Sequence, residues 1–123
     1  MTTTTQEQTT ERVIGTFNTA FDAHDVEAVM ATMTEDCVFE DTAPPDGTEH
    51  RGQAAVRAAW RAFFDASPDA RFETEDAVVT GDRAVVRWTY HWGDGTDSGH
   101  VRGVDLFVVR DGKIAEKRSY VKG

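Results

Sequence analysis

Residues 103–114, with the sequence GVDLFVVRDGKI, carry the clearest strand and turn signals of the chain. Its side chains alternate in character along the first half, which is the periodicity of a β-strand with two different faces. Asp111-Gly112 then interrupts the pattern, and Asp-Gly is a strong signal for a two-residue hairpin turn. We therefore predict antiparallel strands over residues 100–110 and 113–121, joined by a tight turn.

Two further strands are predicted before this hairpin. Residues 71–80 and 83–92 are rich in Val, Phe, Trp, Tyr and Thr, which favours β-strands. Gly81-Asp82 separates them and is a second two-residue turn signal. A Gly-rich loop over residues 93–99 follows. These connections predict consecutive antiparallel neighbours in one sheet.

The N-terminal half has a helical pattern instead. Residues 10–24 place apolar side chains at steps of three and four, which form one stripe of an amphipathic helix. Asp25 can cap a second, shorter helix, and residues 53–66 form a third. A short apolar segment, residues 37–41, favours a strand between them. The chain is thus predicted to be α+β, with three N-terminal helices packed on a curved, mostly antiparallel sheet.

The length and composition predict one globular domain. The chain has 123 residues, of which 39% are hydrophobic and 28% charged, enough for one well-filled core but not two. Six of the first ten residues are Thr, so we predict a flexible tail over residues 1–9 and a domain over residues 10–123. The single cysteine, Cys37, lies among apolar residues and is interpreted as a buried thiol.

Charge and hydropathy exclude several classes of partner. The formal net charge of −9 would repel nucleic acid and anionic membranes. No apolar run approaches the roughly 20 residues of a membrane helix, and the N-terminus lacks the pattern of a signal peptide. We expect a cytoplasmic protein. The four histidines show no metal-ligand spacing, and no phosphate-binding Gly loop is present, so we expect neither metal nor cofactor.

Asp105 is an acidic residue in a strand that otherwise favours apolar side chains. Alternation places it on the same face as Phe107. If this face is concave, Asp105 points into a pocket, where desolvation favours the neutral acid and allows it to donate a hydrogen bond. The alternatives are a solvated carboxylate or one paired with Arg102 or Arg118.

Two other features allow two interpretations each. Asp41 ends its short strand before a Pro-Pro turn, so it either caps the turn or lies at the mouth of a pocket. Trp88, Tyr90 and Trp92 alternate on one strand face, which is either a cavity wall or a surface for dimerisation.

The order of elements, together with several segments, resembles the NTF2-like superfamily. The segments are NTAFDAHD at 18–25, EDCVFED at 35–41, Gly52, and DLFVVRDGKI at 105–114. The closest patterns within the superfamily are SnoaL-like proteins and ketosteroid isomerases. The resemblance implies a cone in which the helices and the bent sheet enclose a pocket, with dimerisation through the outer sheet face.

The resemblance also implies roles for individual residues. Asp41 matches the position of the isomerase general base, and Asp105 matches the neutral acid that donates to the developing oxyanion. Phe17 occupies the position of the family's oxyanion tyrosine, and Met33 and Trp60 occupy those of its supporting tyrosines. The epoxide hydrolase branch resembles the chain less, because Gly103 stands where that branch has the Arg of an Arg-x-Asp pair.

From these observations we expect a cofactor-independent isomerase or cyclase that moves a proton at the carbon next to a carbonyl of a small apolar compound. Its catalytic residues would be Asp41 and Asp105. The expected pocket residues are Phe17, Met33, Phe39, Trp60, Phe63, Trp88, Tyr90, Phe107 and Tyr120. The alternative is a non-catalytic module that binds an apolar ligand or mediates dimerisation. A homodimer through the outer sheet face is expected, because three helices cannot cover both faces.

Overall fold

The computed structural model describes residues 5–93 and 95–122. The α+β class is confirmed, with three α-helices and six strands in the described residues. In chain order the elements are α1 (Gln6–Asp22), α2 (Val26–Ala31), β1 (Met33–Glu40), β2 (Glu49–Arg51), α3 (Gln53–Ala66), β3 (Arg71–Thr80), β4 (Arg83–Trp92), a 3-10 turn (Gly95–Asp97), β5 (Gly99–Arg110) and β6 (Lys113–Val121). The helices are not all N-terminal to the strands, because α3 follows β1 and β2.

The six strands form one sheet in the order β2-β1-β6-β5-β4-β3. Four of the five pairings are antiparallel, and β1 pairs with β6 in parallel. The register shifts within the β1/β6, β3/β4 and β5/β6 pairs. Such irregularities bend strands and increase the local twist, so the sheet curves around the helices. We call the face that contacts the helices the inner face.

The inner face carries the core. In β5, Asp105, Phe107 and Val109 are buried, whereas Leu106 is exposed, as the alternation predicts. The largest fully buried side chains include Trp60 from α3, which packs between α1 and the sheet with Phe17. Cys37 is buried as predicted. No helix within residues 5–93 and 95–122 is long and apolar enough to cross a membrane.

Helix α1 begins earlier than the sequence predicts. Thr5 is the N-cap and exchanges hydrogen bonds with Gln8 in a capping box, which satisfies free N–H groups of the first turn. Thr10 Oγ1 then donates to the Gly81 carbonyl at 2.8 Å, which ties the helix to the β3-β4 turn. Helix α1 therefore extends into the segment predicted as a tail, because Thr5 is a favourable cap; residues 1–4 lie outside the described residues.

β1 is longer than the sequence predicts, and β2 is a strand that the sequence does not predict. β1 starts at Met33, where it pairs with Ile114 of β6, and its polar first half resembles a loop in sequence. β2 has only three residues and is mostly exposed. The four strands after α3 match their predicted bounds, with β5 beginning one residue earlier.

Candidate active site

A pocket of about 320 Å³ lies between α1, α3 and the inner face of the sheet. Seven of its eighteen lining residues are aromatic, and its polar side chains come from α1, from the end of β1 and from β3, β5 and β6. Its lining comprises Phe17, Asn18, Phe21, Asp22, Phe39, Asp41, Thr42, Ala43, Ala59, Trp60, Phe63, Phe72, Thr74, Val86, Trp88, Asp105, Lys117 and Ser119.

Edge-to-face and tilted ring contacts fix the aromatic wall. The Trp60 ring centroid lies 5.6 Å from that of Phe17 and 5.0 Å from that of Phe39. The indole N–H groups of Trp60 and Trp88 have no hydrogen-bond partner within the described part of the chain. A buried donor without an acceptor is costly, so these two groups are the least satisfied polar atoms of the wall.

Gly103 creates the space that Trp88 occupies. The two residues face each other in the β4/β5 register. A Cβ atom at Gly103 would lie 2.6 Å from the Trp88 ring and 2.3 Å from the Tyr120 carbonyl oxygen. The absence of a side chain at position 103 therefore lets Trp88 lie against the sheet.

Asp41 is held at the pocket by its own loop. Its Oδ1 accepts hydrogen bonds from the Ala43 and Thr48 backbone N–H groups at 3.0 and 2.7 Å, and Oδ2 lies 3.1 Å from His50 Nε2. Burial acts to raise the pKa of Asp41, but these hydrogen bonds outweigh it and hold the pKa below its ordinary value. Asp41 therefore both caps the turn and presents an ionised carboxylate at the pocket.

Asp105 lies deeper, in a cluster with two residues of β6. Ser119 Oγ donates to Asp105 Oδ1 at 2.7 Å, and Lys117 Nζ lies 3.4 Å from Oδ2. Lys117 Nζ also donates to Ser119 Oγ at 2.8 Å. The side chains of Lys117 and Asp105 are only 8% and 12% exposed. We call these three residues the inner cluster.

The inner cluster corrects the expected surroundings of Asp105. The sequence predicts a neutral acid in an apolar environment, whereas the structure places Lys117 Nζ at ion-pair distance and the Ser119 hydroxyl group at hydrogen-bond distance from the carboxyl group. The alternative partners are also wrong, because Arg102 pairs with Glu75 and Arg118 pairs with Glu40, Glu49 and Glu116. Sequence reasoning missed Lys117, although alternation along β6 places it on the same face as Ala115 and Ser119.

The chain matches a family profile described as the SnoaL-like domain over residues 14–117. It belongs to the SnoaL-like family. An NTF2-like protein of unknown function from Mesorhizobium loti is 40% identical, with a TM-score of 0.83 and coverage of 96% of this chain and 94% of that one. No protein of curated function matches the chain.

Two further structures extend the comparison. A protein from Sinorhizobium meliloti, described as a proposed polyketide cyclase, is 25% identical with a TM-score of 0.73, covering 88% of this chain and 93% of that one. A proposed ketosteroid isomerase from Kribbella flavida is 19% identical with a TM-score of 0.81, covering 98% and 83%. The second likeness shows the fold alone.

The SnoaL-like fold brings many, but not all, of the expected pocket residues together. Phe17, Phe39, Trp60, Phe63 and Trp88 line the pocket with Asp41 and Asp105. Met33 and Phe107 are buried in the core instead. Tyr90 contacts the rings of Phe63 and Phe72 without lining the pocket. Tyr120 is 50% exposed on the outer face, so its expected place in the pocket is wrong.

The tyrosine positions that the resemblance implies carry no hydroxyl group in this SnoaL-like chain. Phe17 and Trp60 are both in the aromatic wall, and Met33 is buried beneath it. No group of three or more His, Cys, Asp or Glu side chains within residues 5–93 and 95–122 is arranged to hold a metal ion. The charged groups in the pocket lining are Asp41, Asp22 of α1, and Asp105 and Lys117 of the inner cluster, and burial raises the pKa of Asp22.

Proposed function

We propose that this protein is an enzyme that transfers a proton at the carbon next to a carbonyl group of a small, apolar compound. The observation that carries the proposal is the combination of an ionised Asp41 and the buried inner cluster in one aromatic pocket. A carboxylate base and a separate cationic donor are the two parts that enolisation requires.

Asp41 is the proposed base. Two backbone N–H groups and His50 hold its carboxylate in one orientation, and it is 30% exposed, so it can reach a ligand without a change in the loop. The same hydrogen bonds lower its pKa and therefore its basicity. Because a weaker base favours enolate formation less, the group that donates to the enolate oxygen must stabilise it more strongly.

Lys117 is the proposed donor to the developing enolate oxygen, a role that replaces the one expected for Asp105. An ammonium group has three N–H donors; Ser119 Oγ accepts from one of them, and Asp105 Oδ2 lies at ion-pair distance. A positive charge in an aromatic pocket that excludes water stabilises an oxyanion more strongly than it would in water. Asp105 and Ser119 are positioning residues that hold Lys117.

Isomerisation and aldol-type ring closure both begin with this proton removal. The relative from Sinorhizobium meliloti, which is proposed to be a polyketide cyclase, supports that class of chemistry. The aromatic wall suits a substrate with an apolar ring system, because such a ligand gains the burial of its surface.

The test is conversion of a β,γ-unsaturated ketone to its conjugated isomer, followed by ultraviolet absorbance. We expect turnover by the parent protein, loss of turnover in Asp41→Asn, and parent-like turnover in Asp46→Asn. The last variant is a matched control, because Asp46 is an exposed acid in the same loop. Equal rates for Asp41→Asn and the parent would contradict the assignment of the base.

A non-catalytic binding module is the second candidate function. It is favoured by the structural use of Asp41 as a turn cap and by the absence of a hydroxyl group at positions 17, 33 and 60. A module of this kind would bind the ketone, as followed by tryptophan fluorescence, without isomerising it or exchanging its protons with solvent.

We also propose that the outer sheet face mediates a homodimer. Val85, Leu106 and Tyr120 are exposed there although they are apolar or amphipathic. Adjacent strands of one sheet carry these residues, so they form a surface that a second copy can cover. Sedimentation at micromolar concentration tests this expectation, and a monomer would contradict it.

A further inference from the structure

Lys117 is a primary amine within an aromatic pocket. Its Nζ lies 4.8 Å from the ring centroid of Phe39, 5.9 Å from that of Phe21 and 6.0 Å from that of Phe17. The residue lines the pocket although its side chain is almost fully buried. A lysine amine in apolar surroundings is a nucleophile toward carbonyl groups, provided that a neighbour can take its proton.

The inner cluster contains such a neighbour. Asp105 Oδ2 lies 3.4 Å from Nζ, and a second route runs from Nζ through Ser119 Oγ to Asp105 Oδ1, with steps of 2.8 and 2.7 Å. A proton can therefore pass from the ammonium group to the carboxylate either directly or through the hydroxyl group. Both charges disappear together in this transfer, which removes the cost of keeping a charged pair buried.

The charge balance of the inner cluster also selects the ligand. Lys117 and Asp105 neutralise each other, so an anionic ligand would add an uncompensated negative charge to a buried site. A neutral carbonyl compound adds none.

We propose that Lys117 captures neutral, apolar aldehydes and ketones covalently as an imine. This inference rests on the proposed function in one respect, namely that the pocket admits a neutral carbonyl compound. It goes further by giving Lys117 a covalent role in place of a purely electrostatic one.

The chemical steps balance with the groups present. Lys117 transfers one proton to Asp105, and the free amine then attacks the carbonyl carbon, forming the N–C bond and placing the electron pair of the C=O bond on oxygen. That oxygen takes protons from the attacking nitrogen and from Asp105 and leaves as water when the C–O bond breaks. The product is a protonated imine beside the Asp105 carboxylate. Overall, an ammonium group and a carbonyl compound give an iminium ion and water.

The iminium ion strengthens the proposed role of Asp41. A positively charged C=N group withdraws more electron density than a neutral C=O group, so the C–H bond on the neighbouring carbon becomes more acidic. A base whose pKa lies below its ordinary value is better matched to this more acidic proton.

The test is reductive trapping with benzaldehyde and sodium borohydride, followed by peptide mass spectrometry. The chain has three lysines, and the exposed Lys113 and Lys122 serve as internal controls in the same sample. We expect the benzyl adduct to form on Lys117 about tenfold or more faster than on either control, because the pocket holds the aldehyde beside the amine. An adduct rate on Lys117 equal to or below that of the two exposed lysines would overturn the proposal.

Two controls sharpen the result. Lys117→Arg keeps the positive charge but cannot form an imine, so the pocket adduct should vanish while those on Lys113 and Lys122 stay unchanged. Replacing benzaldehyde by 4-carboxybenzaldehyde should reduce trapping at Lys117 selectively, because of the added negative charge. Unchanged selectivity for Lys117 with the anionic aldehyde would contradict the charge argument.

The experiment separates this proposal from the proposed function. Benzaldehyde has no hydrogen on a carbon next to its carbonyl group, so its capture does not depend on proton transfer by Asp41. Trapping without isomerisation of the unsaturated ketone would support the imine and contradict the isomerase activity. Isomerisation that survives in Lys117→Arg, without trapping in the parent, would support the enolate route and overturn the imine.

Discussion

Asp41 and Asp105 line the same pocket, but the protein holds them in different ways. Asp41 lies in a loop, is 30% exposed, and is bound by two backbone N–H groups and an imidazole that is 23% exposed. Asp105 lies within a strand and is bound by a buried ammonium group and a hydroxyl group. One carboxylate depends on local backbone geometry, and the other depends on side chains of the neighbouring strand.

The comparison indicates that the chemical role of a carboxylate in a pocket depends on its hydrogen-bond and ion-pair partners as well as on its position. Asp41 can lose its charge while water and the loop compensate for the change. A substitution that removes one member of the Asp105–Lys117 pair leaves the other buried without its partner, because little water reaches either group. We therefore expect substitutions at Asp41 to lower activity with little loss of stability, and substitutions in the inner cluster to lower both activity and stability.

The largest expected effect is on the rate of proton transfer. Asp41→Asn should lower kcat for the β,γ-unsaturated ketone by roughly 100- to 10,000-fold, because the amide cannot accept the proton. The free energy of unfolding should fall by only about 1 kcal/mol, since the amide oxygen can still accept from Ala43 and Thr48. Steady-state kinetics and urea unfolding measure the two effects. If Asp41→Asn lowered the free energy of unfolding by as much as it raised the activation free energy derived from kcat, the distinction between the two carboxylates would be lost.

The next effect is on stability. Lys117→Met leaves the Asp105 carboxylate buried without a cation and should lower the free energy of unfolding by about 3–5 kcal/mol. The double variant Lys117→Met, Asp105→Asn removes both charges and should recover much of that loss. Urea unfolding of the parent, both single variants and the double variant gives the coupling energy. Additive losses would show that the pair is not coupled.

A smaller effect concerns the pH dependence of stability. The pKa of Asp41 in the folded protein lies below its ordinary value of 3.8, so the unfolded chain binds this proton first as the pH falls. The contribution of Asp41 is thus fully present above 3.8 and is lost as the pH falls toward the folded-state pKa. The difference in unfolding free energy between the parent and Asp41→Asn should shrink on acidification through this range. Asp46→Asn controls for the general effect of removing a negative charge.

The smallest effect is expected at Tyr120. Because this residue is exposed on the outer face, Tyr120→Ser should leave ketone turnover unchanged and alter the unfolding free energy of the monomer by less than about 0.5 kcal/mol. Its effect should be confined to the proposed dimer, whose dissociation constant should rise in sedimentation experiments. If Tyr120→Ser lost turnover at protein concentrations where the dimer persists, the conclusion that Tyr120 lies outside the pocket would be contradicted.

Much of the fold could be predicted because its signals are local. The Asp111-Gly112 turn and the alternation of β5 act over a few residues, and both agree with the structure. The early start of β1 could not be read in the same way. Its polar residues are retained in a strand because β1 pairs in parallel with β6, and that partner lies some eighty residues further along the chain.

The site was predictable in position but not in chemistry. Alternation places Asp105 on the same strand face as Phe107, and the position of Asp41 at a strand end leaves a turn cap and a pocket mouth open. The structure puts both carboxyl groups in the pocket lining. The partners of both residues depend on register between strands that are distant in sequence. Ser119 lies opposite Asp105 in the β5/β6 pairing, and β2 brings His50 beside Asp41. From the sequence alone, without knowledge of that register, Lys117 is indistinguishable from an ordinary solvated lysine.

The inner cluster also constrains how this sequence can diverge. A single replacement of Lys117 or Asp105 passes through an intermediate with one unpaired buried charge, whereas a joint replacement by neutral residues does not. Natural variation at these two positions should therefore be correlated, and lineages should switch between a charged and an uncharged pair with few viable intermediates. Asp41 lies under no such restriction, so descendants can exchange its side chain, and with it the reaction, while the fold persists.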